Sequence, residues 1–441
     1  MRPITIIGAG LAGCEATWQI AQRGGKVTLY EMKPGAYSPA HRSPFFAELV
    51  CSNSFKSESI ENAPGILKEE MRQLNSLILK VAQEAKVPAG DSLAVDRQVF
   101  SKRITQVLES LENVEVIRKE VALIPEDGIT IVATGPLTSE LMSKEIQKLT
   151  GVHHLFFYDA ISPIVTADSI NFQKAFKLSR YGKGEDYVNC PMNEEEYVQF
   201  VEALNQAEKI PVQQFEKRYL FEGCLPIEEM AGRGRETLAF GPLKPVGLTD
   251  PKTRERPFAV VQLRQEDHFG TLYNLVGFQT RLRHEEQKRV FRMIPGLEKA
   301  EFVRLGSIHR NTFIDSPRLL SESLQLRARP GLFFAGQITG VEGYMESTAM
   351  GLLSGINAYR CTSGMPTIAP PPTTAMGALL HHITRSFAVP FQPMNINFGL
   401  FPPLPGKHNG RKRRLHHASR ALREMKSWKR GNEGQQAERE I

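Results

Sequence analysis

The sequence predicts an α/β protein in which a Rossmann-like, doubly wound parallel sheet is interrupted by an inserted α+β domain. Three observations support this. Residues 4–31 have the pattern of a strand, a glycine-rich turn, a helix and a second strand. Two later apolar strands, near 129–132 and 332–334, also run into glycine-containing turns. Between 165 and 310, helical periodicity alternates with β-like runs, which indicates a separate unit.

The first strand–helix–strand unit carries a dinucleotide-binding pattern. Apolar residues Ile4 to Ile7 precede a turn with glycines at positions 8, 10 and 13, and a helix follows to about Arg23. In such a turn the first glycine permits a tight bend, the second lets backbone approach a pyrophosphate, and the third lets helix and strand pack closely. Glu31 ends the next strand, where a carboxylate accepts hydrogen bonds from a ribose.

The remaining pattern divides the chain into four parts. We expect the first part of the nucleotide-binding domain over 1–165, the inserted domain over 166–310, the second part over 311–406, and a basic tail over 407–441. Helices are predicted over 65–85, 96–111 (with Asp96 as N-cap), 194–207 and 345–360. Strands are predicted over 114–117, 258–263 and 271–276, and a stiff proline-rich linker over 366–372.

Composition excludes several classes of protein. The chain has 441 residues, of which 41% are hydrophobic and 23% charged, a balance typical of globular rather than disordered proteins. No apolar run reaches 18 residues, so we expect no membrane-spanning helix. The five cysteines include no CxxC pair, which favours a reducing compartment, the cytoplasm.

The excess positive charge lies in the last part of the chain. The net charge is +7; residues 407–441 contain 11 Lys or Arg against 4 Asp or Glu, and the first 406 residues are balanced. A clustered basic segment is expected on a polyanion-binding protein, because each cation displaces counterions from phosphates. A solvated, partly disordered tail has the same composition, so both interpretations stay open.

The two late strand-to-glycine elements favour FAD over NAD as the dinucleotide. The arrangement resembles the two-part FAD-binding domains of glutathione-reductase-like flavoproteins, whose late glycine-rich turn approaches the flavin and the pyrophosphate. A second strand–GxGxxG–helix unit is missing from the sequence, so we expect any NAD(P)H to dock transiently on the flavin. The predicted cofactor-binding residues are Gly8, Ala9, Gly10, Leu11, Ala12, Gly13, Glu31, Gly336, Gln337, Gly340 and Gly343.

Two cysteines lie in contexts that favour chemistry. Cys51 follows a proline-rich stretch in a polar loop, and Cys224 lies between a glycine and a proline. A thiolate beside a flavin suggests either thiol–disulfide reduction, for which a close cysteine pair is absent, or addition to an electrophilic carbon such as C6 of a uracil. Cys14 is predicted to be a packing residue. The histidine pairs lack ligand spacing, so no metal is predicted.

Several long strings carry a resemblance to a known family. They include Gly8–Gly13, residues 51–56 (CSNSFK), 221–224 (FEGC), 240–248 (FGPLKPVGL), 273–280 (YNLVGFQT), 309–314 (HRNTFI) and 334–344 (FAGQITGVEGY). Over about residues 3–405 the chain resembles the bacterial folate- and FAD-dependent tRNA (uracil-54-C5)-methyltransferases.

The resemblance implies a specific reaction. Methylenetetrahydrofolate donates a one-carbon unit, FAD carries it, NAD(P)H supplies electrons, and uridine-54 in the tRNA T-loop is methylated. Cys224 matches the family's proposed nucleophile on uracil C6, and Cys51 matches the cysteine placed against the flavin. Which thiol performs which step, the general base, the folate contacts and the oligomeric state stay open. Phe221 or Tyr344 could stack on a flipped base.

Three alternatives remain. A related flavoprotein family that modifies the wobble uridine of tRNA shares this chemistry but is longer, with an extra C-terminal helical domain. A plain flavin oxidoreductase with an incidental tail is a second alternative, and a non-catalytic tRNA-binding flavoprotein is a third. Basic residues of the inserted domain, among them Lys174, Lys177, Arg180 and Lys183, could add positive surface for tRNA.

Overall fold

The computed structural model describes residues 2–151, 155–211, 225–387, 391–406 and 409–437, with the side chains of all of these except 156–159, 310 and 433–437. Thirteen α-helices and sixteen strands lie in this part of the chain. The helices are α1 Leu11–Ala21, α2 Ala63–Gln73, α3 Leu77–Glu84, α4 Arg97–Glu109, α5 Glu140–Thr150, α6 Glu194–Gln206, α7 Ile227–Ala231, α8 Thr237–Phe240, α9 His284–Phe291, α10 Ser316–Leu319, α11 Tyr344–Thr362, α12 Ala375–Arg385 and α13 Gly410–Ala437. The strands are β1 Ile4–Ile7, β2 Val27–Glu31, β3 Ser54–Ser57, β4 Lys86–Val87, β5 Ser92–Val95, β6 Val114–Arg118, β7 Thr130–Val132, β8 Leu155–Ile161, β9 Ile164–Thr166, β10 Phe176–Lys177, β11 Tyr187–Met192, β12 Ala259–Gln265, β13 Leu272–Leu275, β14 Phe302–Arg304, β15 Ser307–Phe313 and β16 Leu332–Phe334.

The first domain is built on a five-stranded parallel sheet, as the sequence predicts. Its strand order is β16-β7-β1-β2-β6, so the late strand β16 completes a sheet that the N-terminal strands begin. The apolar strands β1, β7 and β16 are almost completely buried, which is expected of parallel strands covered on both faces. The carboxyl ends of all five strands lie at one edge, where doubly wound sheets bind their ligands.

The helical region after the first unit differs from the prediction of one helix over 65–85. The structure has two helices, because Asn75 adopts a left-handed conformation with φ 58° and Ser76 then starts α3 by accepting a hydrogen bond from the backbone of Leu79. The predicted cap of α4 is confirmed: the Asp96 carboxylate accepts hydrogen bonds from the backbone N–H groups of Gln98 and Val99, each at 3.0 Å.

The inserted domain has a separate core. Its six-stranded antiparallel sheet, in the order β10-β11-β12-β13-β9-β14, runs from residue 164 to 304 and packs against α6 to α9. A two-stranded antiparallel ribbon of β8 and β15 lies where the chain enters and leaves this domain. The chain therefore passes into the insertion and returns through adjacent strands.

The C-terminal segment is folded onto the first domain. After the proline-rich linker the chain forms α12, which the sequence analysis did not predict. The Glu70 carboxyl group caps α12 by accepting hydrogen bonds from the N–H groups of Ala375 at 2.7 Å and Met376 at 2.8 Å. The basic segment forms α13, and its residues Ala418, Ala421 and Met425 are completely buried in the core of the first domain.

None of the helices in the described part of the chain is long and apolar enough to cross a bilayer.

Candidate active site

A cleft opens at the carboxyl edge of the parallel sheet. It contains about 1110 Å³ of space between protein atoms, part of which is open to solvent. Residues at the carboxyl ends of all five strands line it: Gly8, Met32, Lys119 and Ala133 directly follow their strands, and Gly336 lies two residues after β16. The late strand β16 therefore contributes to the same cleft as the N-terminal unit.

The predicted phosphate turn has the geometry that its glycines require. Gly8 has φ 102°, and a Cβ there would lie 2.6 Å from the carbonyl oxygen of Ala133. A Cβ on Gly13 would lie 1.8 Å from the carbonyl oxygen of Gly8. Gly10 is different: it is exposed to the cleft, and no atom lies within 4 Å of its hypothetical Cβ. Side chains at Gly8 and Gly13 would therefore collide with the protein backbone, whereas the space beside Gly10 is free for a ligand.

Glu31 holds this turn against the end of β2. Its carboxylate accepts hydrogen bonds from the Ala9 N–H at 2.9 Å and from the Lys33 N–H at 3.0 Å, and it lines the cleft. Each oxygen keeps a lone pair that can accept a further donor such as a ribose hydroxyl. Ala9, Leu11 and Ala12 also line the cleft.

The four predicted residues of the late turn separate into two groups. Gly336 and Gln337 line the cleft. Gly340 and Gly343 are not among the lining residues: a Cβ on Gly340 would lie 2.4 Å from the ring of Phe391, and one on Gly343 would lie 2.3 Å from Glu346 Oε2. The absence of a side chain at these two glycines therefore allows close packing around the turn, and their predicted role in cofactor binding stays a prediction.

Further cleft residues were not predicted from the sequence. Lys33 is buried at one side, and its Nζ donates to the carbonyl oxygen of Phe45 at 2.6 Å and lies 3.4 Å from Glu48. His41 Nδ1 lies 2.5 Å from Ser38 Oγ. Burial, followed by the nearby Lys33 ammonium, lowers the pKa of His41, so this imidazole is neutral at pH 7.

The loop that contains Cys51 is held at the mouth of the cleft by Tyr344. The Tyr344 hydroxyl accepts hydrogen bonds from the N–H groups of Cys51 at 2.9 Å and Ser52 at 3.1 Å. Burial, followed by the adjacent Cys51, raises the pKa of Tyr344. Tyr344 and Val50, the neighbour of Cys51, line the cleft. The half-buried Cys51 is therefore beside the predicted cofactor site.

Three arginines surround the same loop. Arg97 donates to the carbonyl oxygen of Leu49 at 2.7 Å, and Arg304 donates to that of Val50 at 2.5 Å. Arg264 donates to Asn53 Oδ1 at 2.9 Å and to Ser52 Oγ at 2.8 Å. Because Arg264 and Arg304 belong to β12 and β14, the inserted domain contributes directly to the loop's position.

Only one carboxylate, Glu266, pairs with these arginines among the ion pairs of the described residues. It binds Arg97 through two hydrogen bonds, at 2.7 and 3.1 Å. Burial lowers the pKa of Arg97, but the negative charge of Glu266 and its hydrogen bonds raise this pKa by more, so the net shift is upward. Burial lowers the pKa values of Arg264 and Arg304. All three remain cations at pH 7, so the surroundings of Cys51 are positively charged.

The structure describes three of the other four cysteines. Cys224 is outside the described residues, as is Phe221. Cys14 is buried behind the phosphate turn and Cys190 in the core of the inserted domain, and burial raises the pKa of both thiols. A buried thiol of raised pKa is inert, which agrees with the packing role expected of Cys14. The described residues contain no cluster of three potential metal ligands.

The fold and the cleft define the chain as a two-part dinucleotide-binding protein of the doubly wound class with an inserted antiparallel domain. Residues 3–366 match the family model described as glucose inhibited division protein A. The chain belongs to this family, in the branch of the methylenetetrahydrofolate–tRNA-(uracil-5-)-methyltransferases TrmFO.

Two curated relatives illustrate the similarity. The TrmFO protein of Geobacter sulfurreducens is 58% identical over 427 residues, covering 96% of this chain and 98% of that protein. The TrmFO protein of Geotalea uraniireducens is 60% identical with the same coverage. Among solved structures, Aquifex aeolicus GidA aligns with a TM-score of 0.69 at 17% identity, over 97% of this chain and 73% of the GidA chain. That likeness establishes the shared fold.

Proposed function

We propose that this protein methylates C5 of uridine-54 in the T-loop of tRNA, with methylenetetrahydrofolate as carbon donor, FAD as bound cofactor and NAD(P)H as electron source. The observation that carries the proposal is the 58–60% identity, over 96% of the chain, to proteins named for this activity. As an enzyme of tRNA, it would act in the cytoplasm.

The cleft fits FAD in three respects. Gly10 leaves space for a pyrophosphate at the N-terminus of α1, where the helix dipole and free N–H groups favour negative charge. Glu31 is positioned for a ribose. The turn of Gly336 and Gln337 approaches the cleft from the other side of the sheet. FAD would supply both the carrier position for the one-carbon unit and the two electrons that reduce it to a methyl group.

The chain's own thiols would act on the uracil ring and beside the flavin. In the proposed reaction the Cys224 sulfur forms a bond to C6, which makes C5 a nucleophile for the incoming carbon. Release of 5-methyluridine would then require loss of the C5 proton to a base, cleavage of the bond between the new carbon and its carrier, and delivery of two electrons and a proton to that carbon. Cleavage of the sulfur–C6 bond would regenerate the Cys224 thiolate. Cys51, held by Tyr344 and the three arginines, would shield the cofactor face or assist in removing the proton.

Wobble-uridine modification is less well supported as the reaction. The relatives at 58–60% identity are matched over 98% of their length, whereas the GidA structure is 17% identical and longer than this chain. If the protein were a plain flavin oxidoreductase, its similarity to RNA-modifying enzymes over 96% of the chain would have no explanation. Both alternatives are separated from the proposed function by the product that forms.

The test is mass analysis of tRNA nucleosides after incubation with isotopically labelled methylenetetrahydrofolate and NADPH. We expect labelled 5-methyluridine at position 54 only. The Cys224→Ala variant should retain FAD but form no product, and Cys361→Ala, which changes a half-buried cysteine away from the cleft, serves as the matched control. Label in the wobble uridine would contradict the proposed function. Full methylation by Cys224→Ala would contradict the role of Cys224.

A further inference from the structure

The C-terminal helix α13 is held along the first domain at three points. At its start, Arg411 forms an ion pair with Glu61. In its middle, Arg420 donates to the carbonyl oxygen of Pro403 at 3.0 Å, and towards its end Lys429 donates to that of Gln73 at 2.7 Å. These contacts, together with the buried face of the helix, give its side chains fixed positions relative to the cleft.

Four of the nine Lys and Arg residues of α13 lie on one face of the helix. At 100° per residue, Lys412, Arg423, Lys426 and Arg430 fall within about 40° of one direction, and all four are exposed. The buried residues of the helix, listed above, point to the opposite side. We call these four residues the basic stripe. It extends about 27 Å along the helix axis at 1.5 Å per residue.

Neighbouring carboxylates do not neutralise the basic stripe. Between residues 409 and 432 the only acidic residue is Glu424, and its carboxylate accepts a hydrogen bond from Thr373. Among the described side chains, no ion pair involves a member of the stripe. In the inserted domain, by contrast, Lys174 pairs with Glu298 and Lys183 with Asp91. The basic stripe is therefore, among the side chains that the structure describes, a row of cations without carboxylate partners.

Two ion pairs and the short stretch of chain from residue 56 to 61 lead from the start of α13 to the cleft. Glu61, the partner of Arg411, lies in the segment between β3 and α2. Lys56 of β3 forms an ion pair with Glu346 at 3.2 Å, in the first turn of α11. That turn also contains Tyr344, which holds the Cys51 loop. The stripe thus starts on the side of the domain that carries the site and follows α2 away from it.

We propose that the basic stripe of α13 binds the phosphates of the RNA substrate and so holds the tRNA while its T-loop reaches the cleft; this rests on the proposed function. Lys and Arg neutralise backbone phosphates without reading sequence. A helix that binds a membrane surface inserts an apolar face. Here that face is already buried, and only Leu415 of the helix is a large hydrophobic residue with an exposed side chain.

The test compares two variants of equal charge. The stripe variant carries Lys412→Gln, Arg423→Gln, Lys426→Gln and Arg430→Gln, and glutamine has a helix propensity close to that of lysine and arginine. The control variant changes four exposed lysines elsewhere to glutamine: Lys26, Lys80, Lys102 and Lys148. For each holoprotein, tRNA dissociation constants are measured from 50 to 200 mM salt, with methylation measured separately under single-turnover conditions.

We expect the salt slope to fall by about 3 in the stripe variant if all four cations contact phosphates. The wild-type protein would then lose roughly 80-fold more tRNA affinity than the stripe variant over this salt range, at a slope of about 0.8 per phosphate. The single-turnover rate at saturating tRNA should be unchanged. The control variant should resemble the wild-type protein.

Equal salt slopes for the stripe and control variants would overturn the inference. Unchanged tRNA binding with loss of binding to phosphatidylglycerol vesicles would also overturn it, since the stripe would then serve a membrane. If wild-type protein binds tRNA through the stripe but methylates no uridine, the inference stands and the proposed function fails. A double variant, Lys412→Gln with Arg430→Gln, gives half the slope change should the fourfold variant fold poorly.

Discussion

Replacing Gly10 by valine tests the cofactor site with little effect on the protein itself. Gly10 has φ −74° and ψ −173°, a conformation open to any residue, and the surrounding protein leaves its Cβ direction free. We therefore expect the variant to fold with a stability within about 1 kcal/mol of the wild type. The two added methyl groups would occupy the space where a pyrophosphate has to approach the backbone.

The expected loss of affinity follows from the hydrogen bonds that valine would block. A hydrogen bond from a backbone N–H to a charged oxygen contributes about 1.5–3 kcal/mol. Loss of two such bonds costs about 3–6 kcal/mol, which corresponds to a roughly 10²- to 10⁴-fold weaker dissociation constant for FAD. Gly10→Ala, with a single methyl group, should give an intermediate loss.

The assay is the flavin content of the purified protein, followed by titration of the apoprotein with FAD. Gly431→Val is the matched control, because Gly431 also has open space around its Cβ and lies on α13, away from the cleft. A Gly10→Val protein with normal FAD content and affinity would refute the assignment of this turn to the cofactor phosphates.

Two further predictions concern buried groups. Tyr344→Phe removes the acceptor shared by the N–H groups of Cys51 and Ser52, so denaturant unfolding should show a stability lower by about 1–3 kcal/mol. The variant should retain FAD but methylate tRNA more slowly. Methylation at the wild-type rate would show that Tyr344 does not position the loop. Burial raises the pKa of Glu70 to about 8, so between pH 5 and 7 the folded state retains a proton that the unfolded state releases, and stability falls as pH rises. The Glu70→Gln variant has no titrating group at this position and should lack this pH dependence. The difference in free energy of unfolding between wild type and variant, measured by thermal unfolding, should therefore change by up to about 1.4 kcal/mol per pH unit between pH 5 and 7. A difference that does not vary with pH would contradict the raised pKa of Glu70.

Short sequence patterns predicted correctly those structural features that depend on residues close together in the chain. The strand–turn–helix–strand unit of residues 4–31 has the predicted form, and Gly8 and Gly13 have the close contacts that the motif requires. The Asp96 cap, the five strands of the parallel sheet and strands β12 and β13 of the inserted domain also match, because capping and strand periodicity involve residues only a few positions apart. Strands β9, β10, β11 and β14 of the inserted domain were not predicted. The break at Asn75 was missed, since a left-handed residue other than glycine leaves no strong signal in one sequence.

The sequence by itself determined the strand–turn–helix–strand unit of residues 4–31 and the glycines of its turn, because these depend on short-range spacing. It also predicted Cys51 as a site residue, from its polar loop and the family resemblance. Only the tertiary structure decided what surrounds Cys51: Arg97, Arg264 and Arg304 are up to 207 positions apart and meet only when the inserted domain packs on the loop. It also decided that the basic C-terminal segment is a docked helix. Its composition is that of a solvated chain, and only packing against α2 and the neighbouring C-terminal segments buries Ala418, Ala421 and Met425.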